Sequence, residues 1–359
     1  MPQGRRVLGV ALAAISGFSR LLQPSSTRRT VTWLKPSSIP SGFATNPPPR
    51  NLCMHTRPRE DEGMKTLDGS LCWSLERVHD TCRIRDKAHL ESTPIMNCLV
   101  LADGHRVAAE SLIGSGLDGF IIRHGSGCVL KIPKLFARLQ SDGRVEAYSD
   151  DANELGLEDL EVEKTVYERL RGVPGVAKCI ECTSNGILLE YYANGSLSEY
   201  ISAHSHNPPS MSQRWRWAIQ ATDIIARCHE RGVLVFDIAL RNFVLTENLD
   251  LRIIDFANSS LVPLSPSIDF SRVNVIGCTA GLDLLHLSNV IYSIMVWQTF
   301  SINCAVESEW PRIDQMPDVK GLDIGQVVHK CWTRKYTGVQ DMAPELRLCM
   351  ETPPSTEPL

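Results

Sequence analysis

The first 59 residues contain no aspartate and no glutamate, yet hold nine arginines and lysines. An acid-free, Arg- and Ser-rich segment with the helix-forming run VALAAISGFSRLL fits a mitochondrial transit peptide. A signal peptide fits less well, because no small-residue cleavage site follows the apolar run, and an extension without a targeting role is the third reading. Long hydrophobic runs are also missing. The longest, VLGVALAAISGF, is about a dozen residues against the ~18 that a membrane-spanning helix needs, which excludes a transmembrane segment. The twelve cysteines lack framework spacing. Their one close pair, Cys179 and Cys182 in CIEC, has no second pair at zinc-ribbon spacing, so reduced thiols in a reducing compartment are expected. Beyond residue 59 a basic excess is absent as well: 28 basic side chains face 41 acidic ones, near −13, which argues against nucleic acid as the main partner. No internal repeat is seen. An intracellular, cytoplasmic location is expected, with the mitochondrion as the alternative set by the N-terminus.

What is present suits a folded core. Of 359 residues, 43% are hydrophobic, enough for one to two domains. Residues 1–65 read as a disordered extension, with Pro-, Ser- and Arg-rich linker character from 24 onward (PSSTRRT, KPSSIPSG, NPPPRN). Residues 66–109 form an ambiguous lead-in with strand-like pieces such as MNCLVLA, and regular patterning runs over 110–349. LIGSGLDGFIIRHGSGCVLKI predicts three short strands with glycine turns. DLEVEKTVYERL, 159–170, has apolar residues at helical spacing. GILLEYY, 186–192, reads as a strand, and 212–232 as a helix stopped by Gly232. GVLVFDI and LDLRIIDF are short strands around a turn. The run 282–300 is a strongly apolar helix, and 324–333 a last amphipathic one.

Several residues carry chemistry in this order. GSGLDG places Gly114, Gly116 and Gly119 before a strand rather than a helix, which disfavours a dinucleotide-binding turn. It leaves a glycine flap over nucleotide phosphates or a plain hairpin turn. Lys131 lies within the apolar strand CVLKIPK, where its charge must be paired unless the strand is an edge and the side chain snorkels out. Glu163 and Glu161 are the helix carboxylates available to it, either of which could equally be a solvated helix surface. Asp237, Asn242 five residues on, and Asp255 at the end of LRIID offer a base and hard oxygen ligands suited to Mg²⁺, although each alone is a common turn residue.

Taken together, the region from about 110 to 335 resembles a eukaryotic-type protein kinase domain. The glycine loop, strand lysine, helix glutamate, hinge LLEYYANGSL, loop DIALRNFVL, metal-binding Asp and an apolar helix opening with Asp283 follow the family's order. The Arg241–Asn242 pair resembles the tyrosine-kinase-like variant, VVHKCW a late helix of the second lobe, and the style of RNFVL and DFANSSL divergent kinase-like proteins of filamentous fungi. The resemblance implies an α+β bilobal fold, with a small β-rich N-lobe (about 110–191) and a larger, mostly helical C-lobe (about 192–349). It implies ATP and Mg²⁺ as cofactors. Gly114, Gly116 and Gly119 would cover the phosphates, and Lys131 would hold the α/β-phosphates and pair with Glu163. Val129 would wall the adenine, with Glu190 and Tyr192 beside it in the hinge. Asp237 would accept or orient the substrate hydroxyl, and Asn242 and Asp255 would hold Mg²⁺. The implied activity is transfer of the ATP γ-phosphoryl group to Ser, Thr or Tyr of a protein whose identity the sequence does not name.

The sequence also departs from the family. Val235-Phe236 stands where the catalytic loop has His-Arg; valine can replace the histidine in packing, but Phe236 cannot receive an activation-loop phosphate. The Asp-Phe-Gly turn is Asp255-Phe256-Ala257, and alanine disfavours φ > 0. Val129 replaces the usual small alanine. Only 28 residues separate Asp255 from Asp283, with no Ala-Pro-Glu motif, and Pro311 and Arg312 do not restore one. A nucleotide-binding or scaffolding pseudokinase is therefore the alternative. A small-molecule phosphotransferase, which shares the Asp…Asn…Asp geometry but usually keeps a His two before the first Asp, is the second.

Overall fold

The structure, a computed structural model, describes residues 64–67, 70–74 and 96–351, except 117–118, 140–144, 148–150, 266–267, 276 and 303. The targeting and linker expectations for the N-terminus, up to residue 63, lie outside the described residues.

Three expected strands form around the glycine turns: β4 (Leu112–Ser115), β5 (Gly119–Arg123) and β6 (Cys128–Pro133). With β9 (Cys179–Cys182) and β10 (Ile187–Glu190) they make an antiparallel sheet ordered β4-β5-β6-β10-β9. Strand β6 therefore sits in the middle, buried over nearly its whole length, as its near-continuous apolar run requires.

A second antiparallel sheet was not legible in the sequence. Strand β1 (Met64–Leu67) begins within the last two residues of the stretch expected to be a disordered extension, and the lead-in supplies β2 (Ser70–Ser74) and β3 (Met96–Val100). These join β7 (Leu135–Leu139) and β8 (Val145–Ala147), in the order β1-β2-β3-β7-β8. Only Lys134 separates β6 from β7. Strand alternation gives β3 two apolar faces: Cys98 and Val100 pack with Leu135 and Ala137, while Leu99 packs with Phe120, Ile122, Leu130 and Ile132 of the first sheet. The lead-in and the region after it thus share one sheet.

Helix α1 (Asp151–Arg169) starts eight residues before the periodic stretch that predicts it. The helical half holds α2 (Leu197–Ala203), α3 (Met211–Glu230), α4 (Ala280–Val296), α5 (Gly325–Trp332) and α6 (Val339–Glu351). Ser196 and Glu199 form a capping box at α2. Gly232 does end the α3 segment: its φ is +67°, and a Cβ there would lie 2.6 Å from Val262 O. Helix α5 is not the last amphipathic helix, as the sequence reading had it; α6 follows, with Pro344 inside it. A proline reads as a helix breaker, but burial of Val339, Met342, Ala343 and Leu346 outweighs the lost backbone bond. Helix α4 is buried as expected. One continuous core runs from Val129 and Tyr167, through Trp217 and Ile225 of α3 and Leu285 and Ile291 of α4, to Leu346 of α6. Among the described residues no helix is long and apolar enough to cross a membrane.

Candidate active site

The three residues at the odd spacing are brought together by a hairpin. Asn242 ends a short 3-10 turn (Leu240–Asn242), and β12 (Phe243–Leu245) pairs antiparallel with β13 (Leu251–Ile253). Phe243 faces Ile253, and Ile254 N–H donates to Asn242 O at 2.8 Å, so Asp255 emerges beside Asn242. Gly175 lets the adjoining chain close on this hairpin: Ile253 N–H donates to Gly175 O at 2.8 Å, and a Cβ there would sit 2.2 Å from Ile224 Cγ1.

Lys131 is 8% exposed on the central strand β6, which excludes the edge-strand reading. Its Nζ lies 2.8 Å from Glu163 and 2.6 Å from Asp255 Oδ1. Glu163, 1% exposed on α1, also accepts Phe256 N–H at 3.0 Å. Glu161 instead pairs with Lys164 at the helix surface, which settles which glutamate meets the lysine. Burial opposes the lysine charge, but the Asp255 and Glu163 carboxylates outweigh it and hold the Lys131 pKa above the usual lysine value. Burial pushes the Glu163 carboxyl up. For Asp255 burial acts in the same direction, but the Lys131 ammonium wins and lowers its pKa. The cluster is therefore an ion triad with one cation and two carboxylates.

Asp255 itself takes the left-handed conformation, φ +67°, a strain that non-glycine residues adopt where surroundings over-determine it. Ala257 does not have positive φ, so the concern over alanine in this turn does not apply to the conformation seen. Phe256 is fully buried and meets the Tyr167 ring edge-on, centroids 5.1 Å apart.

The loop before Asp237 is clamped from α4. Phe236 has φ +60°. Asp283, fully buried, accepts Val235 N–H at 2.9 Å and Phe236 N–H at 2.7 Å, and pairs with His229 Nε2 at 2.8 Å. On the other side of the peptide, His286 Nδ1 donates to Phe236 O at 2.6 Å. The two histidines were not singled out in the sequence; His286, three residues past Asp283 on one helix face, carried the only readable signal. Val235 is fully buried, in line with a packing replacement for histidine. Half-buried Asp237 is held by Arg241 Nη2, 2.5 and 2.8 Å from its two oxygens, and by Asn242 Nδ2 at 3.0 Å. Asn242 Nδ2 also donates to Asp237 O at 2.8 Å. That turns Asn242 Oδ1 away from the loop. Neither it nor Asp255 Oδ2 accepts a hydrogen bond from the described residues. Two hard oxygens without a hydrogen-bond donor among the described residues are of the ligand type a magnesium ion takes, with water and phosphate to complete its shell.

The glycines form the β4–β5 hairpin, with Gly116 N–H donating to Gly119 O at 2.9 Å; Leu117 and Asp118 at its tip lie outside the described residues. Gly119 has a packing reason of its own, since a Cβ there would lie 2.6 Å from Ile132 O. Val129 is buried two residues before Lys131, on the same face of β6. At the hinge, Tyr191 N–H is taken by Gly127 O and Glu190 N–H by Lys178 O, whereas Tyr192 N–H has no partner among the described residues. The Tyr192 hydroxyl accepts Lys178 N–H and donates to Glu190, so its side chain braces the hinge, and its backbone is what remains for a ligand.

Residues 149–266 match the family model of protein tyrosine and serine/threonine kinases, a span that holds Glu163, the hinge, Asp237, Asn242 and Asp255. The match supports a protein kinase domain in this chain. Curated relatives agree: protein kinase C zeta type of Oryctolagus cuniculus is 29% identical over 153 residues, 40% of this chain and 25% of that protein. The leaf rust 10 disease-resistance locus receptor-like protein kinase-like 1.4 of Arabidopsis thaliana is 28% identical over 132 residues, 34% of this chain and 20% of that protein. The matched part of this kinase domain thus spans a quarter or less of those relatives. The family match begins after the glycine hairpin and Lys131, which geometry alone joins to the site. The fold agrees with the expected α+β architecture, a β-rich part carrying α1 and a helical part carrying the loop and Asp255.

Proposed function

We propose that residues 110–349 form a kinase unit that binds Mg·ATP between a β-rich lobe, about 110–191, and a helical lobe, about 192–349, and transfers the γ-phosphoryl group to a protein hydroxyl. The observation that carries this reading is the Lys131–Glu163–Asp255 triad. A buried lysine held by two carboxylates from distant parts of the chain is costly unless it has a task. In this reading Lys131 Nζ holds phosphate oxygens, with Glu163 fixing its pose. Gly114, Gly116 and Gly119 close over the phosphates, Val129 walls the base, and the backbone of Glu190 and Tyr192 reads it. Asp237, oriented by Arg241 and Asn242, takes the proton of the attacking hydroxyl. Asn242 Oδ1 and Asp255 Oδ2 would hold Mg²⁺, which supplies charge neutralisation of the phosphates when bound. Free cysteines throughout the described residues support a reducing, intracellular compartment.

The experiment is a pair. Mg·ATP raises the melting temperature of the full chain, and Lys131→Met abolishes the rise. Radiolabelled ATP labels a protein substrate, and Asp237→Asn removes the label. A melting shift without labelling selects the second reading, a nucleotide-binding scaffold. One observation favours that reading: Phe236, which stands in the arginine's place, and the segment residues Phe270, Val273 and Val275 all pack against the buried cluster of Leu234, Val262 and Ala280. No shift with either protein rejects both nucleotide readings.

A further inference from the structure

A cavity of about 430 Å³ lies on the helical part, between the segment residues Ser271–Asn274 and the start of α4. Its volume falls within the range of small-molecule sites. Thr279, Gly281, Leu284, Trp310 and Tyr336 contribute to its walls. None of these residues takes part in the site described above.

One end of the cavity has electrostatic character. Thr279 is the N-cap of α4, yet its side chain makes no capping hydrogen bond. It is 8% exposed, and its Oγ1 has no hydrogen-bond partner among the described residues. A buried hydroxyl without a partner is rare and costs about 1–3 kcal/mol. The first-turn acid, Asp283, gives no compensation, since both its carboxylate oxygens are spent on the catalytic loop and His229. The positive end of a seventeen-residue helix therefore has no side-chain cap from its N-cap residue, and Thr279 and Gly281 at that end line the cavity. Gly281 keeps the backbone bare: a Cβ there would lie 3.3 Å from Thr279 Oγ1 and 3.8 Å from the Trp310 ring.

The side-chain charges around the cavity point the same way. Glu307 is neutralised by Arg334, whose Nη1 lies 3.5 Å from the carboxylate while Nη2 donates to Glu307 O at 2.8 Å. The Arg334 guanidinium also stacks 4.2 Å over Trp310. Arg272, exposed at the rim, has no acidic partner among the described residues. One unopposed cation, an uncapped helix end and an orphan hydroxyl favour an oxyanion; Trp310 and Leu284 favour an apolar body attached to it.

We propose that this cavity binds a small organic anion, with its carboxylate or phosphate at the α4 N-terminus and its apolar part against Trp310. The site is independent of the nucleotide cleft, so the inference does not rest on the proposed kinase activity. The probe is phenyl phosphate, with benzyl alcohol as its uncharged counterpart, titrated into the ¹⁵N-labelled full chain in saturating Mg·ATP. The expected result is a saturable shift of the Gly281 amide with phenyl phosphate and none with benzyl alcohol. Arg272→Glu, an exposed substitution that leaves the core untouched, weakens binding about tenfold, as loss of one charge-assisted contact does. Thr279→Val weakens it similarly. The inference is overturned by the absence of a saturable Gly281 shift, by equal binding of benzyl alcohol, or by affinity indifferent to Arg272→Glu. A Gly281 shift that appears without nucleotide and is lost in saturating Mg·ATP, which would place the probe in the nucleotide site, overturns it as well.

Discussion

Around Lys131, position is enforced by charge: one buried ammonium ties β6, α1 and the chain after Ile253 together. Around Phe236 it is enforced by apolar packing and backbone clamps. Phe236 packs, with Phe270, Val273 and Val275, against the buried cluster of Leu234, Val262 and Ala280, while Asp283 and His286 hold the peptide groups around it. Charge pairing in a buried site is all-or-none, because removing one partner strands the others. Apolar packing is graded, because each contact is small and replaceable. The two sides should therefore fail differently when perturbed.

The largest effect is expected for Lys131→Met, which leaves Glu163 buried with a like charge nearby and should cost about 3–5 kcal/mol in denaturant unfolding. A loss under about 1 kcal/mol would show that the triad is not a structural unit. Next is Asp283→Ala. It strands Val235 N–H, Phe236 N–H and His229 and should cost about 3 kcal/mol, with faster amide exchange over 233–242. Phe236→Ala should cost about 2 kcal/mol and open the segment 262–280 to limited proteolysis, while the melting rise with Mg·ATP survives. If that variant lost the rise as completely as Lys131→Met, the two sides would be one cooperative element rather than two.

The smallest effect is a pH dependence. Lys131 is held above its unfolded pKa of 10.5, so its contribution is fully present below that pH and is lost as pH rises through the higher folded value. The stability gap between the native chain and Lys131→Met should stay flat from neutral pH to about 10 and narrow above it. A gap that narrows already near neutrality would mean that the lysine is not the charged partner.

Much of this molecule was legible before its structure. Period-2 and period-3.6 patterning located β4 to β6, β10, α1, α3, α4 and α5, because each buries one face or both against a single core. The order of lysine, glutamate and acidic residues named the members of the triad. Three things stayed hidden. The sheet β1-β2-β3-β7-β8 depends on pairing across distant stretches of chain, and short strands carry little local signal. Helix α6 was masked by Pro344. Spacing alone did not separate Glu163 from Glu161, since either turns inward or outward with a small rotation of the helix; only the family resemblance pointed to Glu163.

The sequence by itself determined which chemistry is on hand and in what order: a buried-strand lysine, two aspartates, an asparagine and a phenylalanine in an arginine's place. These follow from residue type and spacing, which are local. Only the tertiary structure decided partnership. It set Lys131 between Glu163 and Asp255, turned Asn242 Oδ1 outward, spent Asp283 on the loop rather than on its own helix end, and left Thr279 Oγ1 without a partner among the described residues. Partnership belongs to distance and burial across the fold, where an unpaired polar group costs more than any local preference gains.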